Sequence, residues 1–378
     1  MERKILYVAS TFSHIRNFHL PYLQAFRDMG WTVHVACGGP VAPLPQAHQV
    51  IELPFDKSIS FLKNREAISR LRQLFHCEHY DLVSTHTSLA SFFVRLTVPR
   101  TGPRPLVACM VHGYLFDEET PLKRRLPLAL AEKMTAPVTD LLMTMNHWDE
   151  AYAQTHRLGR QIFNVPGVGV QFEALGRVSP EEVLDLRRTH HIGNDQFLFV
   201  YAAEFSKRKN QGDLLRAMAQ LPEQVCLVLP GDGALRQSCM ELAQQLGLGP
   251  RAIFPGQSDM APWYAAANAA VSVSRSEGLP FNIMEAMNCR LPVAASAVKG
   301  HVDLIEDGKT GLLFPWGDVD ACAACMRQLY EDRALCHRLG EDAHTAIQSY
   351  RLDCVLPQVM QCYEALLPVD LRTPAEYT

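Results

Sequence analysis

Two carboxylates eight positions apart, Glu277 and Glu285, flank a turn that contains glycine and proline. The small and β-branched residues before Glu277 predict a buried strand, and Pro280 suits the first turn of a helix that would carry Glu285. The amides and the dipole at such a helix start favour anionic or oxygen-rich ligands. The two carboxylates could therefore accept hydrogen bonds from two different diols. A helix-start acid beside a solvated surface acid is the alternative interpretation.

Three consecutive cations, Lys207, Arg208 and Lys209, follow a predicted strand and precede a predicted helix. Cations at a helix start oppose the helix dipole, so we expect an anion to compensate them. A phosphate or diphosphate is the simplest such anion, and a solvated basic turn is the alternative.

Other predicted strands are also followed by polar residues or glycines, at the sheet edge where open parallel sheets bind ligands. His112 and Gly113 could respectively donate to a hydroxyl and let the backbone approach a ligand, although a structural histidine is the alternative. Gly231 and Gly233 follow a strand of the second half and would also admit a close ligand. The first strand is not followed by Gly-x-Gly-x-x-Gly, which argues against a nicotinamide-dependent dehydrogenase.

The composition is that of a soluble globular protein: 378 residues, 48% hydrophobic and 20% charged, predict two domains of near-equal size. The sequence has neither an apolar run of about 20 residues nor a cleavage site after its first residues, so we expect no secretion and no membrane span. Eleven scattered cysteines favour reduced thiols in a cytoplasmic protein. Cys322 and Cys325 share one helix face, which favours core packing over zinc binding.

Charge is unevenly distributed along the chain, whose net charge is −4. Residues 1–165 carry 18 Lys and Arg against 14 Asp and Glu, a balance of +4, and the remainder carries 18 against 26, a balance of −8. Lys123, Arg124 and Arg125 lie among leucines and could rest on an anionic lipid surface, peripherally at the inner face of the cell membrane. A solvated helix face is the alternative. No basic stripe with interleaved aromatics occurs, so we expect no nucleic-acid partner.

Strand-like and helical runs alternate in both halves, which predicts two doubly wound α/β domains with parallel sheets. The expected domains are 1–165, then 166–367 with the terminal helices, and 368–378 as a loose tail; glycine and proline mark 166–170 as the linker. The predicted strands are 5–9, 32–36, 82–84, 106–111, 141–143, 197–202, 225–229, 252–254, 270–274 and 293–295, and the predicted helices include 18–29, 67–75, 90–96, 321–329, 334–349 and 355–366.

These motifs, in this order, resemble glycosyltransferase family 4, whose GT-B fold has two Rossmann-like domains facing across a cleft. The resemblance covers nearly the whole chain and rests on His112-Gly113, Arg208-Lys209, Gly231-Asp232-Gly233 and the stretch 277–285. The stretches 14–23, 86–88 and 300–313 are similar to the bacterial exopolysaccharide and capsule branch of that family.

The resemblance implies a retaining hexosyltransferase that moves a sugar from a nucleotide-diphosphate donor, a UDP-sugar, to a glycan or lipid-linked acceptor in cell-surface polysaccharide biosynthesis. It implies no cofactor and no metal, because protein cations and helix-start amides take the charge of the leaving diphosphate. Asp318-Val319-Asp320 spells the aspartate pair of metal-using transferases, but its position favours a helix N-cap. A sugar-nucleotide epimerase or phosphorylase of the same fold, and a non-catalytic sugar-nucleotide-binding subunit, remain as alternatives.

The resemblance also assigns roles to individual residues. Glu277 would hold the hydroxyls of the donor sugar, Glu285 would accept from the ribose diol, and His112 would touch the sugar near the reacting carbon. Arg208 and Lys209 would neutralise the diphosphate, since Glu204 stands where many members have an arginine. The donor-binding set is Gly231, Gly233, Gln257, Gly278, Leu279, Pro280, Phe281 and Glu285, and the acceptor or cleft set is His14, Asn17, His86 and Thr87.

Overall fold

The chain forms two compact units in the computed structural model, which describes residues 3–56, 58, 60–100 and 102–367. One unit comprises the chain up to Gly169 and again from Leu352 onward, and the other comprises Val170–Arg351. The border at Gly169 falls inside the expected linker 166–170. The tail expected at 368–378 lies outside the described residues.

The first unit is built on a sheet of seven parallel strands in the order β3-β2-β1-β4-β5-β6-β7. Its strands are β1 (Lys4–Ala9), β2 (Thr32–Cys37), β3 (Gln49–Glu52), β4 (Leu82–His86), β5 (Leu106–Met110), β6 (Leu141–Thr144) and β7 (Gln161–Asn164). Its helices up to the linker are α1 (Phe12–Phe18), α2 (Leu20–Asp28), α3 (Arg65–Cys77), α4 (Ser88–Thr97), α5 (Leu122–Thr135) and α6 (His147–His156).

The second unit is built on a sheet of six parallel strands in the order β10-β9-β8-β11-β12-β13. Its strands are β8 (Phe197–Val200), β9 (Val225–Pro230), β10 (Ala252–Gly256), β11 (Ala269–Ser272), β12 (Val293–Ser296) and β13 (Gly311–Phe314). Its helices are α7 (Pro180–Thr189), α8 (Gln211–Met218), α9 (Arg236–Gln245), α10 (Met260–Ala266), α11 (Phe281–Asn288), α12 (Val319–Glu331) and α13 (Arg333–Ile347), and α14 (Leu352–Leu366) ends the described chain.

Helices cover both faces of the second sheet, as β8 illustrates. Phe197 and Phe199 belong to one buried apolar cluster, whereas Leu198 and Val200 belong to another. Alternate side chains of a strand point to opposite faces, so both faces of this strand are buried. The structure thus confirms the predicted doubly wound α/β architecture.

Three strands were absent from the sequence prediction, and all three lie at sheet edges: β3, β7 and β13. Each has four residues, and β3 and β7 are largely half-exposed or exposed. β3 and β7 bury little surface, so they lack the continuous apolar run that made the central strands predictable. β13 is an apolar and mostly buried run that the sequence prediction overlooked.

The helix predicted at 18–29 corresponds to α2, and the helix α1 that precedes it was not predicted. Helix α1 ends at Phe18, His19 caps it, and α2 begins at Leu20 with Pro21 in its first turn. Proline has no amide hydrogen to continue a helix and is accommodated at a helix start, so Pro21 favours a new start at this point.

The last helix, α14, belongs to the first unit, whereas the sequence analysis placed it in the domain 166–367. Its Tyr363 packs edge-on against Phe26 at 5.2 Å between ring centroids, and the Tyr363 and Ser84 hydroxyl oxygens are 2.7 Å apart. An amphipathic helix at a chain end can return to either unit, and its apolar pattern does not say which.

Two smaller expectations concern helix α12. Asp318 is its N-cap and accepts a hydrogen bond from the amide of Ala321, as predicted. Cys322 is buried, with its Sγ 4.0 Å from the Met326 sulfur, which agrees with the expected packing role. Among the described helices, none has both the length and the apolarity required to span a membrane.

Candidate active site

A charge cluster of the second unit lies at the carboxyl ends of β8 and β11. These strands pair at the point where the strand order reverses, which is where open α/β sheets bind ligands. Lys209 Nζ lies 2.6 Å from one carboxylate oxygen of Glu277, and an Arg208 guanidinium nitrogen lies 2.7 Å from the other. The structure therefore brings together two predicted cations and a predicted carboxylate that are separated by 68 and 69 positions.

Hydrogen bonds fix the loop that follows β8 relative to the loop that follows β11. The Arg275 amide donates to the Arg208 carbonyl at 2.8 Å, and the Tyr201 hydroxyl donates to the Lys209 carbonyl at 2.9 Å. The Tyr201 and Ser274 hydroxyl oxygens are 2.8 Å apart. The positions of both cations are thus fixed through the backbone as well as through Glu277.

The cluster keeps Glu277 ionised although it is buried. Burial alone would raise the pKa of this carboxyl, but Lys209 and Arg208 lower it to about 2. Burial likewise lowers the pKa of Lys209, and Glu277 opposes that shift. A carboxylate offers about four acceptor positions, so two ion pairs leave capacity for ligand hydroxyls.

His301, which was not among the predicted site residues, lies beside this cluster. Its Nδ1 is 2.7 Å from the Ser296 carbonyl oxygen and its Nε2 is 3.1 Å from the Ser272 hydroxyl. Burial lowers the pKa of His301 to about 4, against the attraction of Glu277. The ring is therefore neutral at neutral pH. The signal that singled out His112, a histidine after a predicted strand, applies equally to His301, which follows β12.

Glu285 lies on α11 with a different partner. The Tyr264 hydroxyl donates to its carboxylate at 3.0 Å and lies 3.2 Å from the Asn282 carbonyl. Burial raises the pKa of Glu285, and the Tyr264 hydrogen bond partly opposes this. Tyr264 was missed because it reads as one apolar residue of helix α10.

The predicted donor-binding glycines are required by their own loop. A Cβ on Gly231, at φ +139°, would collide with the Ala203 carbonyl, and one on Gly233, at φ +149°, would lie 2.6 Å from the Phe205 carbonyl oxygen. The Gly231 amide donates to the Gly256 carbonyl at 2.9 Å, which joins this loop to the end of β10. Close packing therefore explains both glycines without any ligand.

The remaining donor-binding predictions lie at neighbouring strand ends. Gln257 is exposed directly after β10. Gly278, Leu279 and Pro280 connect β11 to α11, which begins at Phe281 with Pro280 as its N-cap. All the predicted donor-binding residues except Glu285 thus lie in strand-end loops or at a helix start of the second unit.

Gly300 supports the position of Glu277, and its replacement gives a first prediction. A Cβ there would lie 2.9 Å from the Glu277 Cβ and 2.8 Å from the Gly278 carbonyl oxygen, at φ +83°. We expect Gly300→Ala to lose about 1–2 kcal/mol of unfolding free energy to the positive φ and a further 1–3 kcal/mol to the collision. Urea unfolding measures both losses.

Gly308→Ala is the matched control for that measurement. Gly308 also has a positive φ, +73°, but nothing lies within 4 Å of the Cβ that alanine would add. This variant should lose only the unfolding free energy that the positive φ costs, about 1–2 kcal/mol. Equal losses in the two variants would show that Gly300 does not constrain Glu277.

The first unit brings four histidines together at the carboxyl ends of β1, β4 and β5. Their ring centroids are 4.8 Å apart for His14 and His112, 5.0 Å for His14 and His19, and 4.2 Å for His19 and His86. Three of them were predicted, and His19 was missed because it fell inside the expected helix 18–29. Burial lowers the pKa of all four, to about 4 for His14 and well below the ordinary value for the others.

His112 contacts the buried His86, which in turn contacts Ser84. Its Nε2 lies 3.4 Å from Nδ1 of His86, whose Nε2 lies 3.0 Å from the Ser84 hydroxyl. Because His86 is fully buried and stacks on Tyr7 at 4.3 Å, the geometry gives it a supporting position rather than a surface position.

The other two predicted acceptor residues lie nearby in sequence. Asn17 is exposed on α1. Thr87 follows β4 with φ +67°, which is unusual for a β-branched residue, and its hydroxyl accepts from the Ser10 amide at 3.0 Å. Strained backbone of this kind persists where the surroundings enforce it and is frequent near functional sites.

Two family models match the chain, one in each unit. The model "Glycosyl transferases group 1" matches residues 183–346, and the model "Glycosyltransferase Family 4" matches residues 22–161. EpsD of Bacillus subtilis (strain 168), named as a glycosyltransferase, is 32% identical over an alignment of 380 residues. The alignment covers 98% of this chain and 99% of EpsD.

Two further likenesses are more distant. The Escherichia coli UDP-Gal:alpha-D-GlcNAc-diphosphoundecaprenol alpha-1,3-galactosyltransferase is 24% identical over 293 residues, 74% of each chain. The crystal structure of Anabaena Alr3699/HepE in complex with UDP-glucose superposes with a TM-score of 0.77 at 19% identity, covering 96% of this chain and 99% of that one.

Proposed function

Since the chain belongs to glycosyltransferase family 4 and has the GT-B fold, we propose that it is a retaining enzyme that uses a UDP-sugar. It transfers the sugar to a glycan or lipid-linked acceptor in cell-surface polysaccharide biosynthesis. The observation that carries the proposal is the buried Lys209–Glu277 pair, with Arg208 on its second oxygen, where β8 and β11 meet.

The cations of this cluster suit a departing diphosphate. Arg208 and Lys209 hold positive charge in place before the reaction, so stabilising the leaving group requires no reorganisation when negative charge develops there. Glu277 accepts from hydroxyls of the donor sugar with its remaining lone pairs, and Glu285 accepts from the ribose diol. Leaving-group stabilisation by these cations needs no metal ion.

Retention follows from attack on the same face as departure. The acceptor oxygen forms its bond to the anomeric carbon as the bond to the diphosphate breaks, and the leaving phosphate oxygen takes the acceptor's proton. His112 donates a hydrogen bond to the sugar near the reacting carbon. The neutral ring that its burial favours can donate such a bond without carrying charge.

UDP and a lipid-linked acceptor are supported by relatives. The HepE structure contains UDP-glucose, and the Escherichia coli relative is named for a UDP-galactose donor and a diphosphoundecaprenol-linked acceptor. Both are distant, so the donor base and the acceptor need direct tests.

A nucleotide panel followed by a transfer assay tests the proposal. UDP should raise the thermal midpoint of unfolding more than GDP or ADP, because a ligand of the folded state stabilises it. Transfer from the preferred UDP-sugar should persist in excess EDTA and yield a product with the donor's anomeric configuration. An inverted product would reject retention, loss of transfer in EDTA would reject the metal-free mechanism, and donor conversion without acceptor would favour an epimerase.

Helix α5 supports a peripheral membrane location. Leu122, Leu126, Leu130 and Met134 are each at least 49% exposed and recur every four residues, so they form one apolar stripe. Lys123, Arg124 and Arg125 lie on its first turn, with Lys123 and Arg124 exposed and Arg125 6.0 Å from the Tyr152 ring centroid. Such a face fits an anionic lipid surface, with leucines inserted and cations beside lipid headgroups.

Removing two of these cations should weaken binding to vesicles that contain anionic lipid. Each cation near such a surface contributes about 1 kcal/mol, so Lys123→Gln/Arg124→Gln should bind about 30-fold more weakly in a sedimentation assay. Arg188→Gln/Lys309→Gln, which removes two exposed cations of the second unit, is the control. Equal binding by the two double variants would show that Lys123 and Arg124 are only part of a solvated helix face.

A further inference from the structure

Three histidines of the first unit present nitrogens to a common point. His14 lies on α1, His19 between α1 and α2, and His112 directly after β5. One imidazole nitrogen from each lies within 4.8 Å of the others. We call these three residues the histidine cluster.

Two nitrogens of the histidine cluster have no hydrogen-bond partner in the part of the chain that the structure describes. His19 is fully buried, and neither its Nε2 nor the buried Nε2 of His14 makes a hydrogen bond. Buried polar atoms in native proteins are almost always paired, and an exception calls for a water, an ion or a function. Two such atoms in adjacent rings indicate a shared ligand.

The contact with Tyr7 favours the His19 tautomer that is suited to metal binding. The Tyr7 hydroxyl oxygen lies 2.9 Å from His19 Nδ1. When Nδ1–H donates to that oxygen, Nε2 carries the free lone pair. Histidine ligands commonly donate their second nitrogen in this way, which fixes the tautomer and orients the ring. His86 supports His112 similarly, through the 3.4 Å contact between Nδ1 and Nε2.

We propose that His14, His19 and His112 form a binding site for a transition-metal ion, with Zn²⁺ as the reference ion. Three neutral imidazoles are the ligand set that Zn²⁺ takes in open sites, whereas Mg²⁺ prefers oxygen ligands. Tetrahedral zinc with Zn–N bonds of about 2.0–2.1 Å sets its nitrogens about 3.4 Å apart, so nitrogens that are up to 4.8 Å apart must approach by up to about 1.4 Å. His14, which is only partly buried, can supply that movement.

This site uses none of the residues proposed to bind the diphosphate, although it shares His112 with the proposed sugar contact. It lies in the first unit, whereas Lys209 and Glu277 lie in the second. The inference therefore does not depend on the transfer reaction, and its test uses no substrate. If His112 also contacts the sugar, a bound metal ion would compete with that contact, and zinc would act as an inhibitor.

Metal binding to the full-length, chelator-treated protein tests the proposal. Titration calorimetry with Zn²⁺ should give one site per chain with micromolar or tighter affinity, unaffected by excess Mg²⁺. Co²⁺ in the same site should show the intense visible absorption of a four-coordinate ion. His14→Ala and His19→Gln should each weaken Zn²⁺ binding at least tenfold, consistent with the loss of one ligand.

His337→Ala is the control, because His337 is an exposed histidine of the second unit. It should bind Zn²⁺ like the wild type. Circular dichroism and thermal unfolding establish that each variant is folded, and His14→Ala keeps the test valid if His19→Gln is unstable. Wild-type affinity in His14→Ala, or a wild-type stoichiometry well below one, would overturn the proposal and leave water as the partner of the two buried nitrogens.

Discussion

Lys209→Met is expected to lower kcat about 100- to 1000-fold, the loss typical when one preorganised stabiliser of developing negative charge is removed. Methionine keeps the length of the side chain and removes its charge. The variant should also bind UDP more weakly, since the same ammonium group is proposed to contact the diphosphate. Steady-state kinetics and calorimetric titration with UDP measure the two effects.

Lys207→Met is the matched control for that loss. Lys207 belongs to the same run of cations but is exposed, whereas Lys209 is 8% exposed and paired with Glu277. The control should keep kcat within about threefold of wild type, since exposed charges contribute little. Equal kcat in both variants would show that Lys209 contributes no more to catalysis than an exposed cation, and would contradict its proposed role at the leaving group.

The fold could be predicted as far as burial shapes the local sequence. Central strands such as β1 and β9 are continuous apolar runs because both of their faces are covered, so ten strands were found close to their observed bounds. The edge strands β3 and β7 carry no such signal, whereas β13 is an apolar run that the prediction overlooked. The return of α14 to the first unit depends on contacts such as that between Tyr363 and Phe26, which local pattern does not encode.

The site could be predicted in its residue types but not in its pairings. Strand-end position identified Lys209 and Glu277 separately, and the family resemblance then implied different ligands for them, the diphosphate and the sugar. Their 2.6 Å contact arises from the pairing of β8 with β11, which the sequence does not display. Tyr264 was missed because it lies inside a segment whose apolar pattern dominates, whereas His301 was missed although it follows a predicted strand.

Glu277→Gln is expected to reduce both stability and activity, because Glu277 joins the two proposed roles. Loss of the charge leaves Lys209 buried without its partner, which costs about 3–5 kcal/mol of unfolding free energy. A hydrogen bond to a charged group contributes about 1.5–3 kcal/mol, so weaker hydroxyl binding should lower kcat/KM about 100-fold. Denaturant unfolding and steady-state kinetics measure the two losses.

The acid limb of the stability curve gives an independent check on Glu277. Its pKa is about 2 in the folded protein against an ordinary 4.5, so below pH 4.5 the unfolded chain binds a proton that the folded chain does not. The stabilisation, about 3 kcal/mol, is therefore complete above about pH 5 and is lost as the pH falls toward 2. Glu277→Gln should show a shallower acid decline than wild type.

A double variant separates the structural role of Glu277 from its catalytic role. Glu277→Gln/Lys209→Met removes both members of the buried pair and should recover much of the lost stability, since replacing both ions avoids an unpaired buried charge. It should not recover activity, because the charges proposed to bind the sugar and the diphosphate are both gone. Glu306→Gln, which breaks the exposed pair with Lys309, should change stability by less than about 1 kcal/mol. Recovery of activity together with stability would mean that the pair only holds the loops in place.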